Sequence, residues 1–277
     1  MIRVGTSGWL YPPWRGRFYP TGLPQRRELE YLAERLNSVE INGSFYALQR
    51  PSSYQRWSEH TPDDFIFAVK GPRYVTHMKR LVDVEQPLAT FLASGVLALG
   101  PKLGPLLWQL PPQLPYRPDP LRRFVDLLPD DTATAAQLAS GHHPRIAERA
   151  WLHIDANRPL RHAFEVRHPS FAHPDFAKLL RDNNIALVLA DTAGRFPVFD
   201  EHTADFAYIR LHGDAELYAS RYSDAALDRW AQLLRGRADA YVYFDNDVHA
   251  HAPHDAMRLA QRLRPAAQNP TGTPRGS

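Results

Sequence analysis

Eight short apolar stretches, each ending in a polar or charged residue, recur along this 277-residue chain. In order they are RVGTSGW (3–9), VEIN (39–42), FIFAVK (65–70), PLLWQL (105–110), AFEVR (163–167), ALVLAD (186–191), AYIRLHG (207–213) and YVYFDND (241–247). Between most of them lie segments with apolar residues at three- and four-residue spacing, which is helical periodicity. Strand and helix alternating eight times is the pattern of an α/β chain forming a single (β/α)8 TIM-type barrel. Such barrels carry their chemistry at the C-terminal ends of the strands. Here those ends hold Glu40, Asn42, Lys70, Gln109, Glu165, Arg167, Asp191, Arg210, His212 and Asp247. An open doubly wound sheet is the competing architecture, because pattern alone does not show closure.

The helices are readable from their apolar faces and their starts. RRELEYLAERLN puts Leu29, Leu32, Ala33 and Leu36 on one side. Others are expected in PSSYQRWSEH from Pro51, QPLATFLASGVLALG, PDPLRRFVDLLP, HPDFAKLLRDNN, SDAALDRWAQLLRG up to Gly236, and APHDAMRLAQRL. Residues 130–161 break the rhythm, and an insertion is expected there between strands 4 and 5, with WLHIDA (151–156) as an extra strand. The connection 192–205 is poor in helical pattern, which predicts a reduced sixth helix. The barrel domain is expected over 1–264, and PAAQNPTGTPRGS (265–277), without apolar period, as a disordered tail.

Composition narrows the function. With 44% hydrophobic and 11% aromatic residues the chain can bury a large core. A formal charge of +3 without any basic run predicts modest attraction for anions and no dedicated duplex-binding face. The absence of cysteine excludes disulfides, thiolate nucleophiles, iron–sulfur ligation and cysteine zinc sites. No apolar run is long enough to cross a bilayer, so no membrane partner is expected. A first strand starting at Ile2 predicts no signal peptide and a cytoplasmic location. The sequence does not speak to oligomeric state.

Period-two alternation sorts the strand ends by face. Glu165 and Arg167 share one face of AFEVR; Tyr208, Arg210 and His212 share one face of AYIRLHG, opposite Ala207, Ile209 and Leu211. Tyr243, Asp245 and Asp247 lie together, as do Glu40 with Asn42 and Ala68 with Lys70. Several strands thus send charge into one cavity. Burying unpaired charge is costly, so these groups are paired with one another, solvated at the mouth, or holding a ligand. Glu165–Arg167 and Asp191–Arg210 would serve equally as ion pairs plugging the barrel.

Three chemistries compete for this set. A retaining glycosidase needs two carboxyls about 5 Å apart; Glu40 and Glu165 lie on non-neighbouring strands, which suits an inverting arrangement better. A divalent metal needs converging donors such as Glu165, Asp191, His212 and Asp247, yet Lys70, Arg167 and Arg210 share that mouth and repel a dication. An anion site uses the three cations directly, with Glu165, Asp191 or His212 moving protons. The third reading uses most residues with least conflict.

Other features are weaker. His249, His251 and His254, and the pair His142 and His143, read as surface histidines rather than ligands. Ser7 in GTSGW lacks nucleophile-elbow spacing, and a close backbone approach explains its glycines better. Trp9, Tyr11, Trp14, Phe18 and Tyr19 suit either stacking on a base or sugar or a lid over the mouth.

Taken together, GTSGW (5–9), FYP (18–20), VEINGSFY (39–46), FAVKGPRYVTH (67–77), QLPP (109–112), FEVRHPSF (164–171), LAD (189–191), IRLHG (209–213) and YFDND (243–247) resemble the YecE-like family, domain of unknown function 72. The resemblance runs in order from Gly5 to about Leu263 and implies a TIM-barrel-like fold with a shared polar pocket, without implying a reaction, cofactor or substrate. Its motif positions here are Glu40, Asn42, Lys70, His77, Gln109, Glu165, Arg167, Asp191, Arg210, His212, Asn246 and Asp247. This chain has Asp245 where members often show Asn, and 130–161 looks inserted relative to shorter members.

The expectation is therefore an enzyme without metal or other cofactor, acting on a phosphate- or carboxylate-bearing small molecule. Glu165 and Asp191 would be acid and base, helped by Glu40 and His212. Lys70, Arg167 and Arg210 would clamp the anion, while Asn42, Gln109, His77, Asn246 and Asp247 line its site. A metal-dependent phosphodiesterase or endonuclease is the alternative, and a non-catalytic binder of nucleic acid or an anionic metabolite the second.

Overall fold

Inward-pointing residues of the strands decide how this sheet curls. A computed structural model describes residues 1–264, so the tail expected over 265–277 lies outside the described residues. The chain runs β1 (Ile2–Ser7), α1 (Glu28–Ala33), β2 (Ser38–Ile41), α2 (Gly43–Tyr46), α3 (Pro51–Glu59), β3 (Ile66–Lys70), α4 (Glu85–Ala93) and β4 (Leu103–Gln109). It continues through α5 (Pro118–Leu127), α6 (Thr132–Ala139), β5 (His162–Glu165), α7 (Pro174–Asp182), β6 (Ala186–Leu187), β7 (Leu189–Asp191), β8 (Ala207–Leu211), α8 (Asp224–Arg235), β9 (Ala240–Phe244) and α9 (His251–Leu263).

All nine strands are parallel, in the order β6-β5-β4-β3-β2-β1-β9-β8-β7. Val188 alone separates β6 from β7, and its N–H donates to Phe164 O at 2.9 Å. The two ends of the strand order are thus neighbouring pieces of chain, and the barrel is nearly closed. An open doubly wound sheet does not form. The count differs from the eight expected because ALVLAD changes partner partway: Ala186 and Leu187 pair with β5, whereas Leu189–Asp191 pair with β8.

Two apolar layers hold the fold. Val39, Ile41, Phe164, Val166, Ile209, Leu211, Val242 and Phe244 point outward and pack under the helices. A separate cluster fills the barrel itself: Ala68, Leu107, Ala163, Ala186, Val188, Ala190, Phe206, Tyr208, Tyr241 and Tyr243. Small and large residues alternate around that interior, so three tyrosines fill the space the alanines leave. The close approach expected at GTSGW is real. A Cβ on Gly5 would stand 2.1 Å from Ser38 O, so only glycine lets β1 lie against β2.

Helix starts follow local chemistry. Pro51, Pro118 and Pro174 occupy first turns, and Ser223 Oγ accepts the Ala226 N–H at 3.2 Å to cap α8. WLHIDA is not a strand; residues 151–156 are irregular, with the Trp151 N–H donated to Ala93 O at the end of α4. The 130–161 stretch instead carries α6, which packs on α4, and a 3-10 turn over Pro144–Arg149. The sixth helix, expected to be reduced over 192–205, does not form at all between β7 and β8.

Candidate functional site

Arg210 on β8 is the centre of the charged end of the barrel. Its guanidinium is almost wholly enclosed and surrounded by acceptors. Nε and Nη2 donate to the two carboxylate oxygens of Glu40, at 3.1 and 2.8 Å. Nη1 donates to Glu165 Oε2 at 2.7 Å, and Nη2 also reaches Ser7 Oγ at 2.7 Å and Asp245 Oδ2 at 3.2 Å. Ala190, the register partner of Arg210 on β7, leaves room for it. Burial opposes the charge on Arg210, yet Glu40, Glu165 and Asp245 outweigh it and push its pKa well above the ordinary arginine value.

Each acceptor is itself tied down. Glu40 also receives the hydroxyls of Ser7 and Tyr208, the latter at 2.7 Å. Glu165 receives Arg167 through Nε at 2.8 Å and Nη2 at 2.7 Å. Burial would raise the Glu165 pKa, but Arg167, Arg210, His212 and Lys70 together hold it well below the usual carboxylate range. A carboxylate between two guanidiniums is a poor base and a poor acid. Asp245 behaves alike: burial is outweighed by Arg210, His212 and Lys70, and its pKa is about 2. His212 Nδ1 lies 2.9 Å from Asp245 Oδ2, outside good hydrogen-bond geometry.

Lys70, closing β3, is different. It is 7% exposed, and its ammonium sits 4.5 Å above the Phe45 ring. Arg167 and Arg210 have carboxylate partners, whereas Lys70 has none within ion-pair distance among the described residues. Burial, then the nearby Arg210, lowers its pKa to about 8. His77 packs edge-on against the same Phe45, at 5.1 Å between ring centres. Burial and Lys70 lower its pKa to about 4, so it is a neutral ring. Gln109 ends β4 beside Glu165 and is buried.

A second group stands beside this network. Asn42 Nδ2 donates to Ser7 Oγ at 3.0 Å, while its Oδ1 is buried without a partner. Asp247 Oδ1 is likewise buried and unpartnered. Burial, then the neighbouring Asp245 charge, raises the Asp247 pKa well above the carboxylate range. Tyr11, whose pKa is also raised by burial and by Asp247, lies against it. Each of these two orphaned oxygens, on side chains that both neighbour Tyr11, has an acceptor position that a ligand's donor would satisfy.

Two expected residues lie elsewhere. Asp191 shares the outward face of β7 with Leu189, and accepts the Tyr222 hydroxyl at 3.0 Å and the Ala193 N–H at 3.2 Å. The Asp191–Arg210 pair does not form, because Ala190 takes the inward position. Asn246 points away from the mouth: its Nδ2 donates to Ser220 O at 2.9 Å and to Asp255 Oδ2 at 3.0 Å, anchoring α9. Arg210 also fits poorly as an anion clamp, since its donors are already taken. Glu165–Arg167, by contrast, is the ion pair anticipated.

Ser7, Phe45, Tyr208 and Asp245 belong to the site without having been singled out for it. Alternation put Tyr208 and Asp245 inward, and the same parity from Gly5 reaches Ser7. Phe45 stands only inside the VEINGSFY motif, with no role assigned to it. Trp14, Phe18 and Tyr19 are buried against one another, Trp9 is buried edge-on against Trp57, and none offers an open face for a base or sugar. Among the described residues no group of three or more His, Asp or Glu side chains is placed to hold a metal ion. No described helix is long and apolar enough to cross a membrane.

The same arrangement has relatives. UPF0759 protein YecE of Escherichia coli is 34% identical over 273 residues, covering 95% of this chain and 93% of that protein. A DUF72 family protein from Thermotoga maritima superposes with a TM-score of 0.71 at 26% identity, covering 95% of this chain and 99% of that one. An AP endonuclease, family 2, from Brucella melitensis has a TM-score of 0.52 at 10% identity, covering 94% and 98%, which shows a shared TIM-barrel-like fold. Residues 3–277 match the family described as "Protein of unknown function DUF72", and with the YecE similarity over nearly its whole length, the chain belongs to that family.

Proposed function

We propose that the mouth of the barrel, read as a (β/α)8 barrel once β6 and β7 count as one strand, is the substrate site of an enzyme. Its substrate is a small molecule bearing phosphate or carboxylate. The observation that carries this reading is Lys70: a largely buried lysine at the C-terminal end of the sheet, whose ammonium has no carboxylate within ion-pair distance among the described residues. Holding a cation unpaired in a mostly desolvated site is costly, so its natural complement is an anion from outside. Arg167, two residues past the end of β5, supports it with Nη1 outside the Glu165 pair.

Proton transfer passes to the other side of the mouth. Glu40 and Glu165 are held as carboxylates by Arg210, so they position rather than exchange protons. Burial and the Asp245 charge raise the Asp247 pKa, and its Oδ1 has no partner, so Asp247 is the group we assign to proton donation. Asn42 Oδ1 would orient the substrate. The metal-dependent nuclease alternative has a fold likeness behind it, but Glu40, Glu165 and Asp245 already spend oxygens on Arg210.

Calorimetric titration with inorganic phosphate and with succinate tests the reading. One of them should bind wild type, Lys70→Met should weaken it about tenfold or more, and affinity should fall as pH rises through about 8, where Lys70 loses its proton. Undiminished binding by Lys70→Met would remove the reading's foundation.

A further inference from the structure

Beside the barrel mouth runs a groove of about 640 Å³, between α2, the turn after β3 and the start of α4. Its lining includes Phe45, Tyr46, Arg73, Tyr74, Met78 and Arg145, and no acidic side chain. Tyr46, Tyr74 and Met78 are 73%, 45% and 61% exposed, an uncommon grouping of large apolar side chains on one surface. Phe45 joins this groove to the site, because Lys70 Nζ stands 4.5 Å over the same ring. Tyr46 packs edge-on against Phe45, with ring centres 5.0 Å apart.

The backbone here is unusual as well. Tyr74–Met78 is a π-helical turn, and Arg80, Leu81 and Asp83 just after it have φ of 50°, 66° and 50°. Such π turns and left-handed non-glycine residues cluster where a segment is shaped for binding. The turn presents Tyr74 and Met78 outward from the edge of the site.

We infer that this groove takes the base of a nucleotide whose phosphate lies at Lys70, a substrate class that deepens, and rests on, the anion reading above. Exposed rings stack on a planar heterocycle, and Arg73 and Arg145 favour an anionic ligand. A groove of this size suits one nucleotide rather than a duplex. Arg73 and Arg145 form no ion pair among the described residues, so both remain available to it.

The test compares adenosine monophosphate, ribose phosphate and a short single-stranded oligonucleotide by calorimetry on the full chain. Wild type, Lys70→Met and the double variant Tyr46→Ala/Tyr74→Ala are used, the last two positions being exposed enough to leave folding intact. Adenosine monophosphate should bind about tenfold tighter than ribose phosphate, and the double variant should erase that advantage while ribose phosphate affinity holds within about twofold. Equal binding of the two by wild type overturns the nucleotide inference and leaves the anion site standing. Failure of all three ligands overturns the nucleotide inference, and the anion reading then stands or falls on the separate phosphate and succinate titrations. Binding of the oligonucleotide without the mononucleotide also overturns the inference, in favour of an extended strand.

Discussion

Arg210 and Glu40 form a two-point fork across the barrel, with Nε and Nη2 each meeting a separate carboxylate oxygen, at 3.1 and 2.8 Å. Both side chains are essentially without solvent contact. Fork geometry matches guanidinium to carboxylate in a way an ammonium does not reproduce. The pair links β8 to β2, and through Glu165 it reaches β5, so one side chain joins three of the nine described strands.

Removing one partner leaves the other charged and buried. Arg210→Ala should therefore destabilise the protein by about 3–5 kcal/mol in urea unfolding. Arg210→Lys should restore little of it. The combined change Arg210→Met with Glu40→Gln should cost clearly less than the sum of its parts, and additive losses would show that the fork is not a coupled unit.

Lys70 has the opposite character. A folded-state pKa of about 8 against the ordinary 10.5 means that folding disfavours its charge. Below pH 8 the lysine is charged in both states and carries the full penalty. Between about 8 and 10.5 the unfolded chain binds more protons, so this group's destabilisation fades as pH rises. Lys70→Met should raise stability at neutral pH, by on the order of 3 kcal/mol at most, and remove that alkaline gain. A lower melting temperature for Lys70→Met would mean that the ammonium is already compensated.

Acid should act on the other half of the network. Glu165 and Asp245 have depressed pKa values, so their stabilisation is complete above the ordinary carboxylate range and is lost as pH falls through the folded values, about 2 for Asp245. Unfolding monitored by circular dichroism should begin below about pH 4. Asp245→Asn should flatten this acid limb, keeping a hydrogen-bond acceptor for Arg210. An unchanged limb would place the acid-sensitive group elsewhere.

Gly5 offers a test of the scaffold apart from the charges. The added methyl of Gly5→Ala meets Ser38 O, a backbone atom that cannot swing away, at 2.1 Å. The variant should lose about 3 kcal/mol or more, or fail to fold, because β1 must move off β2. Gly22→Ala, where nothing lies within 4 Å but φ is +84°, separates pure backbone strain from this clash. It should cost about 1 kcal/mol.

Much of the site is legible in the sequence. Parity within a strand placed Glu40, Lys70, Glu165, Arg167, Arg210 and His212 on the inward side, and there they are. Asp191 and Asn246 enter the set by their place at strand ends and in the family motifs, not by parity. Alternation in fact puts Asp191 on the outer face with Leu189, and Asn246 on the face opposite Asp245 and Asp247, which is where they lie. The extra strand at WLHIDA fails for a different reason: the Trp151 N–H bonds to Ala93 O instead of joining a ladder.

Alternating apolar stretches and helical spacing determined by themselves that the chain is an α/β sequence with its charges at the strand ends, because burial forces apolar residues to one face of each element; closure of the sheet was decided only in the tertiary structure. Sequence also determined the absence of thiol chemistry. Only the tertiary structure decided which charges meet. Arg210 is saturated and Lys70 is not, although both end inward on parallel strands, because Glu40, Glu165 and Asp245 converge from distant parts of the chain on one guanidinium. Such pairing depends on barrel curvature and side-chain reach, neither of which is written in local pattern.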